Sequence, residues 1–258
     1  LSFSGSTIGV GITEENFLGL GHEISFENQD DFKEKQNHLF GSYKAYTLYG
    51  TFINAGILAE KDFLKNERIS FSATRDFFSP LTRWAGGISF EYFMRKVLMP
   101  VENSDVFPEV QIKVYNQDLW GGYQFPVFKG KDEISRNIAV LGRFQNYQYK
   151  DRPIMDDQNF FSTYTSFLAS ASYIERKFSM KRNIFRYNLP EDIPYGKSFG
   201  LTGGLLKRNS KITPYAGISS AYGSFINWGY VSVKAQYGRF FNEATENCDS
   251  FRLEGTYF

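Results

Sequence analysis

The chain has 258 residues, 29 basic and 28 acidic, and a formal net charge of +1 at pH 7, which excludes a broad nucleic-acid surface with its clustered Lys and Arg. Aromatic residues reach 18%, yet hydrophobic residues are only 42% of the chain, so Phe and Tyr stand singly among Ser, Gly, Asn and Lys rather than beside the Leu, Ile and Val of a soluble core. The lone Cys248 rules out an internal disulfide and a paired-cysteine metal site, and no apolar run reaches the length of a membrane-spanning helix.

Alternation with a period of two dominates from end to end. It predicts fourteen strand segments, beginning near Ser4, Gly21, Leu39, Gly50, Arg68, Trp84, Glu109, Leu119, Asn137, Phe161, Tyr195, Ile212, Gly229 and Phe251. Ile24 and Phe26 alternate with Glu23, Ser25 and Glu27; Ile53, Ala55, Ile57 and Ala59 alternate with Asn54, Gly56 and Glu60. Ile69, Phe71 and Ala73 then alternate with Arg68, Ser70 and Ser72, and Ile88 and Phe90 with Ser89 and Glu91. Val110, Ile112 and Val114 alternate with Gln111 and Lys113, and late in the chain Val231, Val233, Ala235 and Tyr237 alternate with Ser232, Lys234 and Gln236. Charged, turn-like stretches at 28–37, 129–135 and 150–157 separate the segments. No apolar stripe of helical period is convincing, and no break in composition divides the chain, so one domain over 1–258 is expected.

A strand places successive side chains on opposite faces, so each segment has an oily and a polar face. A soluble barrel would turn the oily face inward, but about fourteen strands enclose a lumen too wide for side chains to fill. With the oily face outward, the charges line water. The expected fold is therefore all-β: an antiparallel transmembrane β-barrel of about 12–14 strands with almost no helix. Ile53, Ile57, Phe71, Phe90, Ile112, Val231 and Val233 are expected to face lipid, and Glu60, Arg68, Glu91, Lys113 and Lys234 the lumen. The wider charged set, with Glu23, Glu27 and Arg143, mixes both signs and suits ion pairs better than a selectivity filter. Aromatics gather near segment ends, at Phe77 and Phe78, Trp84, Trp120 and Tyr123, Phe125 and Phe128, Phe160 and Phe161, Trp228 and Tyr230, and Phe240 and Phe241. Such clusters suit the interfacial girdles of a membrane barrel.

Catalysis finds little support. The two histidines, His22 and His38, stand beside a turn and a charged loop without a nucleophile or an orienting group. The acidic clusters at Asp30 and Asp31, Asp156 and Asp157, and Glu191 and Asp192 lack the spacing of a calcium loop and read as solvated charges. Lys181, Arg182 and Arg186 could meet anionic headgroups but read more simply as a polar loop. No enzyme, cofactor or metal is expected.

Three stretches carry a family resemblance. Glu15-Asn-Phe-Leu-Gly-Leu-Gly-His22, between two strand segments, resembles the glycine turn in the first hairpins of the BamA/TamA superfamily of outer-membrane assembly and translocation barrels, with Leu20 where Thr is usual. The turn residues are Asn16, Phe17, Leu18, Gly19 and Gly21; the glycines permit positive φ, and Phe17 and Leu18 would anchor the turn at the membrane edge. Ser72-Ala-Thr-Arg-Asp-Phe-Phe-Ser-Pro-Leu-Thr-Arg-Trp-Ala-Gly-Gly87 is similar to that superfamily's strand, Arg-Pro-Phe-Phe-Ser turn and next strand, with Asp76 in place of Pro. Arg186-Tyr-Asn-Leu-Pro-Glu-Asp-Ile-Pro-Tyr-Gly196, before a Gly-rich strand, resembles a Bacteroidota-type branch.

The resemblance implies a barrel of the Gram-negative cell outer membrane that assists insertion or translocation of outer-membrane or secreted proteins. Its implied partners are outer-membrane lipids and lipopolysaccharide and other outer-membrane or periplasmic proteins. A porin-like or structural barrel subunit of a larger outer-membrane complex is the alternative. The family's periplasmic repeats and its Arg-Gly-Phe/Tyr loop do not occur in these residues; Gly142-Arg143-Phe144 has another order. The family's glycine turn follows two strands, and only one is legible before Asn16. The chain is accordingly expected to be part of a larger barrel, with strands or a loop beyond Phe258 and a strand before Leu1.

Overall fold

A computed structural model describes residues 2–99, 107–127, 134–151, 161–182, 184, 189–241 and 248–258. They form an all-β fold. Its strands are β1 (Ser2–Ser4), β2 (Thr7–Phe17), β3 (His22–Asp31), β4 (Gln36–Ala45), β5 (Asn54–Lys61), β6 (Glu67–Arg75) and β7 (Trp84–Leu98). Then come β8 (Glu109–Pro126), β9 (Ser135–Asp151), β10 (Tyr164–Arg182), β11 (Pro190–Arg208), β12 (Lys211–Ile226), β13 (Gly229–Phe240) and β14 (Cys248–Tyr257). All fourteen lie in one sheet in chain order, and the ladders from β1 to β7 and from β11 to β14 are antiparallel. The only helical element among the described residues is a single 3-10 turn at Leu48–Gly50.

Among the described residues no ladder joins β14 to β1. Among the described residues the sheet is therefore not closed into a barrel, where the strand pattern leads one to expect a closed or nearly closed barrel or part of a larger one. β1 has three residues and pairs only with Thr7–Gly9, and β14 pairs with β13 alone.

Three segment readings need correction. The segments expected at Glu109 and Leu119 are one continuous strand, β8, because the polar run Asn116-Gln-Asp118 breaks the apolar alternation without breaking the backbone. Two strands, not one, lead into the glycine turn, since β1 is too short to show a period. β11 also begins at Pro190, ahead of the expected start at Tyr195; Pro190 and Pro194 look like loop residues in sequence.

The residues group into two compact units where the sequence reading has one domain. The first comprises 1–76, 86–119 and 145–165; the second comprises 77–85, 120–144 and 166–258. The division passes through β7, β8, β9 and β10 rather than through a linker. Tight turns hold the hairpins. β11 and β12 are joined by Asn209 and Ser210, both left-handed at φ 48 and 65, the paired positive φ of a hairpin turn whose twist matches its strands.

Candidate functional site

The chemistry of the sheet lies in its two faces. In the first unit the ladders align Ile12 with Phe26, Ile24 with Tyr43, Tyr43 with Ile57, Ile57 with Phe71 and Phe71 with Phe90. These residues share one apolar face, and it is left open; Ile57 is 52% exposed. The opposite face aligns Glu23 with Lys44, Ser25 with Ser42, Glu60 with Arg68 and Ser70 with Glu91. Its charges pair across the strands: Lys44 Nζ lies 2.8 Å from Glu23 and Arg68 Nε 2.6 Å from Glu91, while His38 Nε2 is hydrogen-bonded to Glu60 at 3.3 Å.

The second unit repeats the division. Phe199, Leu201, Ile218, Tyr237, Phe251 and Leu253 share an exposed apolar face through the ladders of β11 to β14. Ser198, Gly200, Thr202, Ser219, Gln236 and Lys234 lie on the other, where Lys234 approaches Glu254 at 3.9 Å. Glycines there make room for rings: a side chain on Gly238 or Gly217 would strike the Tyr215 hydroxyl, and one on Gly223 the Tyr230 hydroxyl. On β11 the apolar face runs between Lys197 and Lys207. Ten residues span about 33 Å along a strand, or about 25 Å of height at a tilt of about 40°. That is the height of a bilayer's hydrocarbon band.

Glu60, Arg68, Glu91 and Lys234 thus stand on the polar face, but Lys113 does not. Tyr115 contacts Tyr92 of the apolar face with ring centroids 5.1 Å apart, and Lys113 shares the side of β8 with Tyr115. Ile112 and Val114 consequently fall on the polar side and are fully buried at 0% exposure. On β8 Lys113 thus lies on the side of the apolar face and Ile112 on the side of the polar face, the opposite of the sides that the alternation leads one to expect. The reason is that alternation defines two faces without naming them, and on β8 the apolar residues serve as filling. Tyr147 packs against Phe93, Tyr149 and Tyr164, at 6.2, 5.3 and 5.2 Å between centroids. The sequence reading missed this aromatic cluster, although Tyr147-Gln-Tyr149 carries its period. Ile53 lies just before β5, and its carbonyl accepts a 2.8 Å bond from Leu48 N–H.

The glycine turn is built around Asn16. Gly19 N–H donates to the Asn16 carbonyl at 2.8 Å, and Gly21 N–H donates to the Asn16 side-chain oxygen, also at 2.8 Å. Leu18, Gly19 and Gly21 are left-handed at φ 54, 72 and 68, and Leu18 and Leu20 project into the open. A register shift between Glu14 and Phe17 sets the turn off from the regular ladder. Replacing Asn16 by Ala should cost about 1 kcal/mol, the worth of one local side-chain bond. Gly19→Ala should cost about 1–2 kcal/mol through its left-handed backbone. Chemical-denaturant midpoints of the folded chain check both.

His22 Nδ1 is hydrogen-bonded to the Tyr43 hydroxyl at 2.6 Å, and His38 to Glu60; no nucleophile joins either in these bonds. Among the described residues no group of three or more His, Cys, Asp or Glu could hold a metal ion. Asp156, Asp157, Phe128, Phe160 and Arg186 lie outside the described residues. No helix among the described residues is long and apolar enough to cross a membrane, a criterion that does not bear on strands. No family model matches the chain, and neither a curated protein nor a solved structure is found to match it.

Proposed function

We propose that the chain forms a transmembrane β-barrel wall of a Gram-negative outer membrane, of the BamA/TamA-like kind, and assists insertion or translocation of other proteins. The observation that carries the membrane part is the division of the faces: one is a continuous apolar face left open, and the other carries the ion pairs. Water disfavours an open apolar face of this extent, whereas lipid favours it. The assembly part rests on the Asn16–Gly21 turn, whose geometry fits the family-like reading.

A porin-like or structural barrel is the second reading. It needs a wet polar face, and on β8 that face is filled by Ile112 and Val114. The test is reconstitution in liposomes with a urea-unfolded client barrel. The expected result is several-fold faster client folding than in empty liposomes, scored by protease protection, with no stable conductance steps in planar bilayers. Stable steps without faster client folding would establish the second reading instead.

A further inference from the structure

On the apolar face of the first unit, a groove of about 210 Å³ is lined by Ile57, Ile69, Phe71, Phe90, Tyr92 and Tyr115. The Phe71 and Phe90 rings stack with centroids 6.5 Å apart. Beside Tyr115 the chemistry changes at once. Lys113, two residues along β8 on the same face, binds Asp151 at 2.7 Å, and Lys150 Nζ sits 6.0 Å from the centre of the Tyr115 ring. Lys96, two residues beyond Met94, pairs with Glu109 at 2.7 Å. Hydrocarbon, then tyrosine, then ammonium is the order a lipid leaflet presents from its chains to its headgroups.

We propose that this groove and its lysines hold one phosphate-bearing lipid of the surrounding bilayer. An acyl chain lies along Phe71, Phe90 and Ile69, and the phosphate meets the ammonium groups of Lys113 and Lys150. The inference rests on the membrane reading above. A neutral lipid would account for the groove but leave the lysines without an anion from the bilayer. Free phosphate would account for the lysines and leave the groove empty. Long lysine stems are suited to the place, since they lie along apolar surface while the charge reaches the polar boundary.

The experiment reconstitutes the full chain in phosphatidylcholine nanodiscs with and without phosphatidylglycerol, then counts lipids retained in detergent by native mass spectrometry. The wild-type chain is expected to retain phosphatidylglycerol several-fold over phosphatidylcholine, and excess glycerol phosphate should not compete. Lys113→Gln with Lys150→Gln should abolish the preference, while Lys207→Gln on the second unit should leave it intact. Asp151→Asn, which removes the carboxylate competing for Lys113, should strengthen retention. Equal retention of the two lipids, competition by glycerol phosphate, or a preference unchanged in the double variant overturns the site. Insertion is read separately by protease protection in phosphatidylcholine alone. A protected chain without lipid preference defeats the lipid site and leaves the membrane reading standing; an unprotected chain defeats both.

Discussion

Leu201→Arg is expected to cost about 2–4 kcal/mol of stability in a bilayer, the penalty for arginine on a lipid-facing strand near the midplane. Leu201 stands on β11 between Ile218 of β12 and the Lys197 and Lys207 boundaries, near the middle of the apolar band. It is 52% exposed. In water, replacing a half-exposed leucine on a sheet surface would move stability by no more than about 0.5 kcal/mol either way. The two environments therefore differ by several-fold in the same substitution, and no rearrangement of the sheet is needed to tell them apart. Gln236→Arg serves as the counterpart, because Gln236 lies opposite Ser219 on the polar face and should change stability by under about 0.5 kcal/mol. Unfolding in liposomes at graded urea measures both. A cost below about 1 kcal/mol for Leu201→Arg would mean that the apolar face does not meet hydrocarbon.

The strands that could be read from sequence are those whose two faces differ in chemistry. β6, β7 and β13 begin within one residue of the expected Arg68, Trp84 and Gly229, because Ile69, Ile88 and Val231 alternate cleanly with Ser and charged residues. β8 resisted for the opposite reason. Its hidden side carries Ile112 and Val114 but also Asp118 and Gln124, all buried, and its open side carries Lys113 beside Tyr115. Neither side is uniformly oily, so the orientation follows from contact with Tyr92 on the neighbouring strand, information that a single strand does not contain. Closure was not legible either, since it depends on whether the edges of β1 and β14 meet, which periodicity does not specify. The charge set shows the same limit. Glu60, Arg68 and Glu91 could be placed together because their ladder partners alternate in step, whereas Lys113 could not.

Glycine is where packing asks for something that alternation cannot reveal, and two glycines of the second unit should respond with opposite signs. At Gly204 a methyl would overlap the carbonyl oxygen of Phe167 and stand 2.6 Å from Leu168 Cδ2 and 3.0 Å from Leu168 Cα. Two of these three are backbone atoms of β10, so relief requires the strand itself to move, not a side chain to rotate. Gly204→Ala should therefore destabilise the sheet by about 1–3 kcal/mol or more, the usual cost of forcing an extra methyl into a filled space. Gly142 is the contrast. A methyl there meets nothing within 4 Å, and the residue is outside the left-handed region. It shares a side of β9 with Ile138 and Val140, both exposed. Gly142→Ala removes freedom from the unfolded chain without a clash and should stabilise by about 0.4–1 kcal/mol. Unfolding midpoints of the two variants, taken side by side in the same liposomes, give the comparison. A neutral Gly204→Ala would show that β10 and β11 do not approach as closely as the structure has them; a destabilising Gly142→Ala would show that its side of β9 is covered.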